Sequence, residues 1–357
     1  MVAGGRSARM SGVHDAPTPI GGIVGKVVQV SSSNSDGYAL TSTGAVYAWG
    51  DGARGELGEG STPSLSATAV KVHFPAGVRI TSLPDPMPFD GAMAIASTGR
   101  VWAWGDNGSR QFCLPRPHDI LEPVQVPLGG VTLAAGALEH TIYDSDGHIL
   151  TCGRGPNGQL GNGTSGRGAG SATPVAVRGL PAGRAVAVTA SWGDAGVLMA
   201  SGAYYDWGFN KAGQVGDGTQ TLRATAVRVD LPGPVKQVSQ GGSGPLNGQT
   251  MALLSNGQVW EWGNGSFGQL GNGQTGDATS PIRLIEPAGT QFANVNSGGA
   301  TNYAIDHTGE LWSWGCNSSG QTGDGAFTGI QSRPINDHVS LTQVSSTSSE
   351  VAGLAER

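Results

Sequence analysis

The chain has 357 residues, of which 61 are glycine, and its 26 acidic and 20 basic residues give a formal net charge of −6. A duplex nucleic-acid binder normally shows a basic stripe, and a spanning helix needs about 18 consecutive apolar residues; this sequence has neither. We therefore expect no nucleic-acid partner and no membrane partner.

The glycine content predicts a chain with many tight turns. Average usage of roughly 7% would give about 25 glycines, and those present follow no collagen-like period. Glycine adopts the left-handed backbone conformations that tight turns require.

A motif that ends in Trp-Gly recurs along the chain. Its glycines are separated by 55, 48, 55, 55 and 52 residues, and Cys replaces Trp in the third copy. Another glycine, which follows a polar residue, stands six positions before each of them, a pattern typical of a β-hairpin. These six register glycines are Gly50, Gly105, Gly153, Gly208, Gly263 and Gly315.

The segment after each register glycine is also regular. Further glycines stand five and eight residues downstream in every copy but the second, which has Arg110 and Cys113 there. A short β-branched run with proline follows and predicts an outer edge strand, where proline is tolerated. One more short apolar run completes a repeat of four strands. The second copy also has a long loop, residues 82–91, and these departures predict a specialised contact in this repeat.

Four-stranded units of about 50 residues are typical of β-propeller blades. We predict an all-β, seven-bladed β-propeller that occupies residues 1–357 as a single domain and is a monomer. The aromatic residues of the third strands are predicted to pack between blades. The predicted blades are 24–75, 76–128, 129–180, 181–232, 233–287 and 288–337, with a seventh formed by 338–357 and 1–23, which closes the ring.

The cysteines and the N-terminal residues bear on the compartment. Cys113, Cys152 and Cys316 are too few and too far apart for a disulfide framework or a zinc site, and Cys152 is interpreted as a small buried residue. The first 15 residues contain no apolar core typical of a signal peptide. We expect a cytoplasmic protein, or a secreted one if a signal peptide has been removed. No metal and no cofactor is expected.

The repeat resembles that of the regulator of chromosome condensation family, whose units carry a Trp-Gly pair followed by Gly-Gln-Leu-Gly-x-Gly. The resemblance covers essentially the whole chain, and it implies a seven-bladed propeller closed by a split blade. The matching segments are residues 158–163, 213–218, 268–273 and 320–325, with 55–60 as a looser copy.

Function transfers less directly than fold. The family includes a nuclear exchange factor for a small GTPase, a plant ultraviolet-B receptor and secreted bacterial inhibitors of β-lactamases. This chain lacks a basic tail for chromatin and is most similar in style to the bacterial inhibitor branch, so the resemblance implies a soluble, inhibitor-like protein.

The loops between the first and second strands of the repeats differ from one another, whereas the scaffold is regular. Such loops meet at one face of a propeller, around the axial opening, and rigid scaffolds often present binding residues in this way. Acidic residues there would favour a basic partner or a cationic ligand. The candidate binding residues are Asp36, Phe89, Asp90, Glu139, His140, Trp192, Asp194, Asn247 and Asn302.

The leading hypothesis is a non-enzymatic propeller that docks or inhibits a protein partner through this face. A cofactor-independent cyclase, lyase or hydrolase, acting on a small molecule at the axial opening, is the alternative. Carboxylates that converge on a pocket shift one another's pKa values and can act as acids and bases. The candidate catalytic residues would be Glu139, His140, Asp36 and Asp194. Merely solvated loops, or a structural module of a larger assembly, are further alternatives.

Overall fold

The computed structural model describes residues 19–340, apart from 117, 243, 245–247 and 324–328 and the side chains of 337–340. This part of the chain forms 24 strands in six four-stranded antiparallel sheets, and the same residues contain no helix. Strands that are neighbours in the chain are neighbours in each sheet. Each sheet is therefore a simple meander, as the four-strand repeat predicts.

The first three blades have similar strand lengths. Blade one comprises β1 (Val27–Ser32), β2 (Asp36–Thr41), β3 (Val46–Gly50) and β4 (Ser66–Lys71). Blade two comprises β5 (Ile80–Ser82), β6 (Gly91–Ala96), β7 (Val101–Gly105) and β8 (Ile120–Gln125). Blade three comprises β9 (Val131–Gly136), β10 (His140–Ser145), β11 (His148–Arg154) and β12 (Gly170–Ala176).

The next three blades repeat the arrangement, with a longer outer strand in the last. Blade four comprises β13 (Ala185–Ala190), β14 (Asp194–Met199), β15 (Tyr204–Gly208) and β16 (Arg223–Arg228). Blade five comprises β17 (Val235–Gly241), β18 (Gln249–Leu254), β19 (Val259–Gly263) and β20 (Ala278–Arg283). Blade six comprises β21 (Phe292–Ser297), β22 (Thr301–Asp306), β23 (Glu310–Asn317) and β24 (Gly329–Ser340).

Glycine closes the predicted hairpin in each blade. In blade one, Leu40 pairs with Val46, and Gly44 between them has φ 87° and donates its N–H to the carbonyl of Thr41 at 2.9 Å. An L side chain rarely adopts this backbone conformation, so glycine is the residue that fits the turn. The hairpin fixes which residues of β2 face the register glycine on β3.

The apolar core lies between adjacent sheets. Four tryptophans that precede register glycines are fully buried, and each indole Nε1–H donates to a carbonyl of the preceding blade at 2.7–2.9 Å. Aromatic burial of this kind contributes much of the apolar area removed from water. The pairs are Trp104 with Glu56, Trp207 with Gln159, Trp262 with Gln214 and Trp314 with Gln269.

The prediction of seven blades is wrong, because the described residues form six. Residues 338–340, which the sequence analysis assigns to a seventh blade, belong to the outer strand of blade six, where Ser340 pairs with Glu310. A short alternating run indicates a strand but does not say which neighbour the strand pairs with. Near the other end, the carbonyl of Gly21 accepts the N–H of Ala69 on β4 at 2.9 Å. The remainder of the predicted seventh blade, residues 1–18 and 341–357, lies outside the described residues.

The cysteine prediction also requires correction. Cys113 and Cys152, 39 residues apart in sequence, form a disulfide with their Cα atoms 5.2 Å apart. Cys152 is fully buried, as expected, but it is bonded rather than a free small residue. Cys316 is free and half-buried. Sequence distance misled the prediction because residues about one repeat apart face each other across a blade junction.

No element in the described part of the chain is a helix with the length and apolarity needed to cross a bilayer.

Candidate functional site

The predicted site residues concentrate where the second strand of each blade begins. The first residue of this strand pairs with the register glycine in all six sheets, so the loops that precede it occupy equivalent places. The residues at this register position are Asp36, Gly91, His140, Asp194, Gln249 and Thr301. Three of the predicted site residues, Asp36, His140 and Asp194, are therefore structural equivalents in different blades.

Asp36 is buried, with 6% of its surface exposed. Its Oδ2 accepts a hydrogen bond from the Ser33 hydroxyl at 2.8 Å, while its buried Oδ1 has no hydrogen-bond partner among the described residues. Burial, opposed by the Ser33 hydrogen bond and assisted by the carboxylates of Glu56 and Asp51, raises the pKa of Asp36 to about 7. Asp36 is therefore an acidic group that changes its charge near neutral pH.

Phe89 and Asp90 end the long loop of blade two beside blade one. The carbonyl of Phe89 accepts the backbone N–H of Asn34 at 3.1 Å, which ties the two loops together. Both Phe89 and Asp90 are half-buried. Burial raises the pKa of Asp90, and Arg54 partly opposes that shift.

A chain of electrostatic interactions joins Asp36 and Asp90 to further carboxyl groups around one guanidinium. Arg54 lies 3.2 Å from Asp106 and 3.9 Å from Asp119, each measured from Nη1 to Oδ1. Six carboxyl groups are thus linked by mutual interactions, and three of them, Asp90, Asp106 and Asp119, also face the Arg54 guanidinium. We call this set the acidic cluster; it consists of Asp36, Asp51, Glu56, Asp90, Asp106 and Asp119 with Arg54.

Glu139 and His140 do not have the exposure that the enzymatic alternative needs. The Glu139 carboxylate forms an ion pair with Arg154 of the same blade. His140 is fully buried, and burial lowers its pKa to about 4, an effect that the backbone of Asp194 only partly opposes. A buried, neutral imidazole is available neither to solvent nor to a substrate at the axial opening.

Asp194 lies in a buried polar network between blades four and five. Its Oδ1 accepts from the Ser191 hydroxyl and its Oδ2 from Gln240 Nε2, the latter at 2.9 Å. The same nitrogen donates to Asp206 Oδ2 at 2.8 Å, and the hydroxyl of Tyr204 donates to that oxygen at 2.8 Å. Burial raises the pKa of Asp194 to about 7 and that of Asp206 well above its ordinary range.

Sequence reasoning missed Asp206 and its counterpart in the next blade, Glu261. Both are fully buried and stand two residues before a register glycine, where other blades have Ala, Thr or Ser. Glu261 accepts hydrogen bonds from Asn302 at 2.7 Å and from the Trp314 indole at 2.9 Å, so it joins blade five to blade six. A carboxylate between two core aromatics in the sequence could have revealed both residues.

The remaining candidates lie apart from the acidic cluster. Asn302 is fully buried and serves the junction of blades five and six, while Trp192 is half-buried in the loop before Asp194. Asn247 lies outside the described residues. In the described part of the chain, Asp36 and Asp90 are connected through the acidic cluster, and His140 interacts with the backbone of Asp194. No interaction described above connects the first pair with the second. The four candidate catalytic residues therefore do not form one constellation.

Among the described residues, no group of three or more His, Cys, Asp or Glu side chains has an arrangement that could hold a metal ion. The residues of the acidic cluster are spread along two blades and interact mainly through space. The arrangement is suited to attracting a cationic surface rather than to coordinating an ion.

The fold and this loop face define a β-propeller scaffold protein with variable loops at one end of its blades. Residues 146–195 and 256–305 match the model of the regulator of chromosome condensation (RCC1) repeat. Two segments of the chain thus match repeats of this family, and the resemblance predicted from the Trp-Gly and Gly-Gln-Leu-Gly motifs is confirmed.

Curated relatives share this repeat over most of the chain. The chain is 28% identical to the ultraviolet-B receptor UVR8 of Arabidopsis thaliana, over 87% of its own length and 70% of the receptor. It is also 28% identical to the human E3 ubiquitin-protein ligase HERC2 over 88% of the chain, but it spans only 6% of that ligase. These relatives are eukaryotic, so the bacterial inhibitor branch stays a prediction.

Solved structures show the same fold. Human WBSCR16 superposes with a TM-score of 0.76 and 19% identity, over 89% of this chain and 83% of that protein. Prp20p from Saccharomyces cerevisiae, described with its binding to Gsp1p and histones, gives 0.74 and 20% identity over 89% and 78%. At this identity the likeness establishes the fold alone.

Proposed function

We propose that this protein is a non-enzymatic docking propeller that binds a basic segment of a protein partner on the acidic cluster of blades one and two. The observation that carries the proposal is a set of six interacting carboxyl groups, only three of which face an arginine, at the edge of the variable loops. Opposite charge on a partner would steer it to this face and fix its orientation. Prp20p, which has the same fold, binds proteins, and this is consistent with such a role.

The burial and pairing of the candidate catalytic residues support docking rather than catalysis. His140 is inaccessible, Glu139 is paired with Arg154, and Asp194 is engaged by two donors. A general base must reach the proton that it removes. Inhibition of a partner enzyme would be one consequence of docking, and it needs no residue beyond the acidic cluster.

We also propose that the protein functions in an oxidising compartment rather than in the cytoplasm. The disulfide between Cys113 and Cys152 joins two blades in the core. Disulfides persist in secreted and periplasmic proteins and are rare where thiols are kept reduced. The test is mass spectrometry of the protein from its native source after alkylation without reductant. If the disulfide is formed, Cys113 and Cys152 should remain unalkylated; if it is absent, both should be alkylated.

The docking proposal is tested with charged peptide probes and matched variants. Asp51→Asn/Asp90→Asn removes two charges from the cluster, and Asp146→Asn/Asp230→Asn removes two exposed charges elsewhere. We expect labelled hexalysine, but not hexaglutamate, to bind in a fluorescence anisotropy titration. The cluster variant should bind about fivefold more weakly, given about 0.5 kcal/mol for each exposed charge.

The control variant should retain the affinity of the unaltered protein. Equal weakening in both variants would mean that net charge alone attracts the peptide, and the proposed docking face would then be incorrect. Far-ultraviolet circular dichroism of all variants would verify that the propeller is folded.

A further inference from the structure

The segment after each register glycine normally packs on the outer strand of the next blade. The glycine five residues downstream lies so close to that strand that an added Cβ would approach its backbone to 2.6–2.9 Å. The glycine ten residues downstream donates its N–H to a carbonyl of the same strand at 2.8–3.0 Å. These hydrogen bonds join Gly60 to Leu121, Gly163 to Ala224, Gly218 to Thr279 and Gly273 to Ser332.

Blade two lacks both contacts with blade three. Arg110, with φ 57°, replaces the close-packed glycine, and at the equivalent glycines of the other junctions an added Cβ alone would already approach the neighbouring strand too closely. Pro115 replaces the hydrogen-bonding glycine and has no N–H to donate. This segment of blade two therefore does not pack on the outer strand of the next blade as the equivalent segments do.

This segment of blade two has its own internal support. Asn107 Nδ2 donates to the carbonyl of Arg116 at 2.8 Å, and Arg110 Nε donates to that of Pro115 at 3.2 Å. The disulfide at Cys113 anchors its middle to blade three. The segment is consequently a built loop with a defined position, and it stands over the outer strand of its own blade, β8.

An open groove lies between this loop and β8, with a volume of about 700 Å³. Aliphatic side chains form much of its wall, and Val124 on β8 is 43% exposed. A ligand bound in the groove would cover this side chain. The lining includes the aliphatic side chains of Leu114, Ile120, Leu121 and Val124, the carboxylates of Asp119 and Glu122, and the side chains of Arg116 and His118.

Asp119 connects the groove to the docking face. It lines the groove, and it also lies 3.9 Å from Arg54 in the acidic cluster. A basic segment that reaches the cluster would therefore place a neighbouring side chain over the apolar wall. The two surfaces are continuous, one charged and one aliphatic.

We infer that the groove between the loop of residues 107–116 and β8 receives an aliphatic side chain of the same basic segment that docks on the acidic cluster. The inference rests on the proposed function and names the partner chemistry more closely: lysine or arginine residues with one leucine-like residue among them. Apolar burial in the groove supplies affinity that charge attraction alone does not.

The experiment uses six-residue lysine peptides in which one residue, scanned through all positions, is leucine or serine. Each pair has the same charge and differs only in apolar surface. We expect the best leucine peptide to bind about tenfold more tightly than its serine counterpart, the factor expected for burial of most of a leucine side chain. In Val124→Gln the ratio of the two affinities should fall to near one, whereas Val186→Gln, at another exposed strand valine, should leave the ratio unchanged.

Val124 is exposed, so its substitution should leave the fold intact, and a thermal melt verifies this. A ratio near one in the unaltered protein, or a ratio that survives Val124→Gln, would overturn the groove inference. If the serine peptides still lose affinity in Asp51→Asn/Asp90→Asn, the docking proposal stands without the groove. If no lysine peptide binds, the docking proposal itself fails.

Discussion

Gln240 holds two buried carboxyl groups together, because its Nε2 donates to Asp194 at 2.9 Å and to Asp206 at 2.8 Å. Each carboxyl group has further donors, the Ser191 hydroxyl on Asp194 and the Tyr204 hydroxyl on Asp206. Two negative charges so close together in a buried site are unfavourable, and a proton on one of them relieves the repulsion. This network therefore links the stability of the propeller to pH.

We predict that Asp194→Asn makes the pH dependence of stability shallower. The pKa of Asp194 is raised from 3.8 to about 7 in the folded state, so between these pH values the folded protein holds more protons than the unfolded chain. The free energy of unfolding must then fall as pH rises through this window. Asparagine keeps the shape, accepts from Gln240 and donates to the Ser191 hydroxyl, but it does not ionise.

The effect should amount to a few kcal/mol over the window, at about 1.4 kcal/mol for each pKa unit. Urea titrations at several pH values between 4 and 8 would measure it. Asp230→Asn, at an exposed position, should retain the slope of the unaltered protein. His140, whose pKa is lowered to about 4, acts in the opposite direction below its ordinary pKa but is common to all three proteins. Identical slopes for Asp194→Asn and the unaltered protein would refute the prediction.

At the scale of the elements, one contact recurs at four blade junctions and is replaced at another. The glycine eight residues after the register position faces the indole of the next blade, where an added Cβ would come within 2.6–3.1 Å of the ring. Cys113 occupies the glycine position of blade two and Cys152 the tryptophan position of blade three. The disulfide thus stands where the other junctions have a glycine and tryptophan pair.

The replacement also preserves the hydrogen bonding of the junction in part. At the junction of blades four and five, the carbonyl of Gln214 accepts from both Thr250 and Trp262. At the junction of blades two and three, the carbonyl of Gln111 accepts from Thr141. A carbonyl has two lone pairs, so Gln111 retains capacity for an indole donor.

We predict that Cys113→Gly/Cys152→Trp is more stable than Cys113→Ser/Cys152→Ser. Loss of a disulfide that spans 39 residues should lower the free energy of unfolding by about 3 kcal/mol. Glycine suits the φ of 58° at position 113, and tryptophan restores the contact and the donor that the other junctions use. The serine pair restores neither.

Urea denaturation without reductant would compare the two variants with the unaltered protein. The unaltered protein in excess reductant is the matched control, and its stability should approach that of the serine variant. If the glycine and tryptophan variant were no more stable than the serine variant, the two kinds of junction would not be interchangeable.

The strands and hairpins were largely predictable from the sequence, whereas the pairings between residues distant in sequence were not. Hairpin turns depend on local residues such as Thr43-Gly44, so the four strands of each blade follow from pattern. The disulfide depends on two residues in different repeats, and recognising it requires the contact map between blades. The blade count failed for a similar reason, because residues 338–340 pair within blade six. For the site, the sequence identified Asp36 and Asp90 but not Arg54 or Asp106, which lie beyond the loops considered.

For the whole molecule, electrostatic repulsion opposes folding. The formal net charge is −6, and the acidic cluster brings six carboxyl groups together with one arginine in two neighbouring blades. Mutual repulsion destabilises a compact state, and dissolved salt screens it. The repulsion is a cost that a function requiring negative charge at this face would explain.

We predict that added salt stabilises the free protein and does so less in Asp51→Asn/Asp90→Asn. Between about 0.01 M and 1 M sodium chloride the Debye length falls from about 30 Å to about 3 Å, which removes most repulsion between exposed carboxylates. The free energy of unfolding should rise by about 1 kcal/mol in the unaltered protein, an amount typical of a few partly exposed charge interactions. Urea is the suitable denaturant because it carries no charge. The control variant Asp146→Asn/Asp230→Asn has the same net charge as the cluster variant. If the salt effect is full in the control and reduced in the cluster variant, the repulsion lies in the cluster. Equal salt effects in the two variants would assign the repulsion to the molecule as a whole.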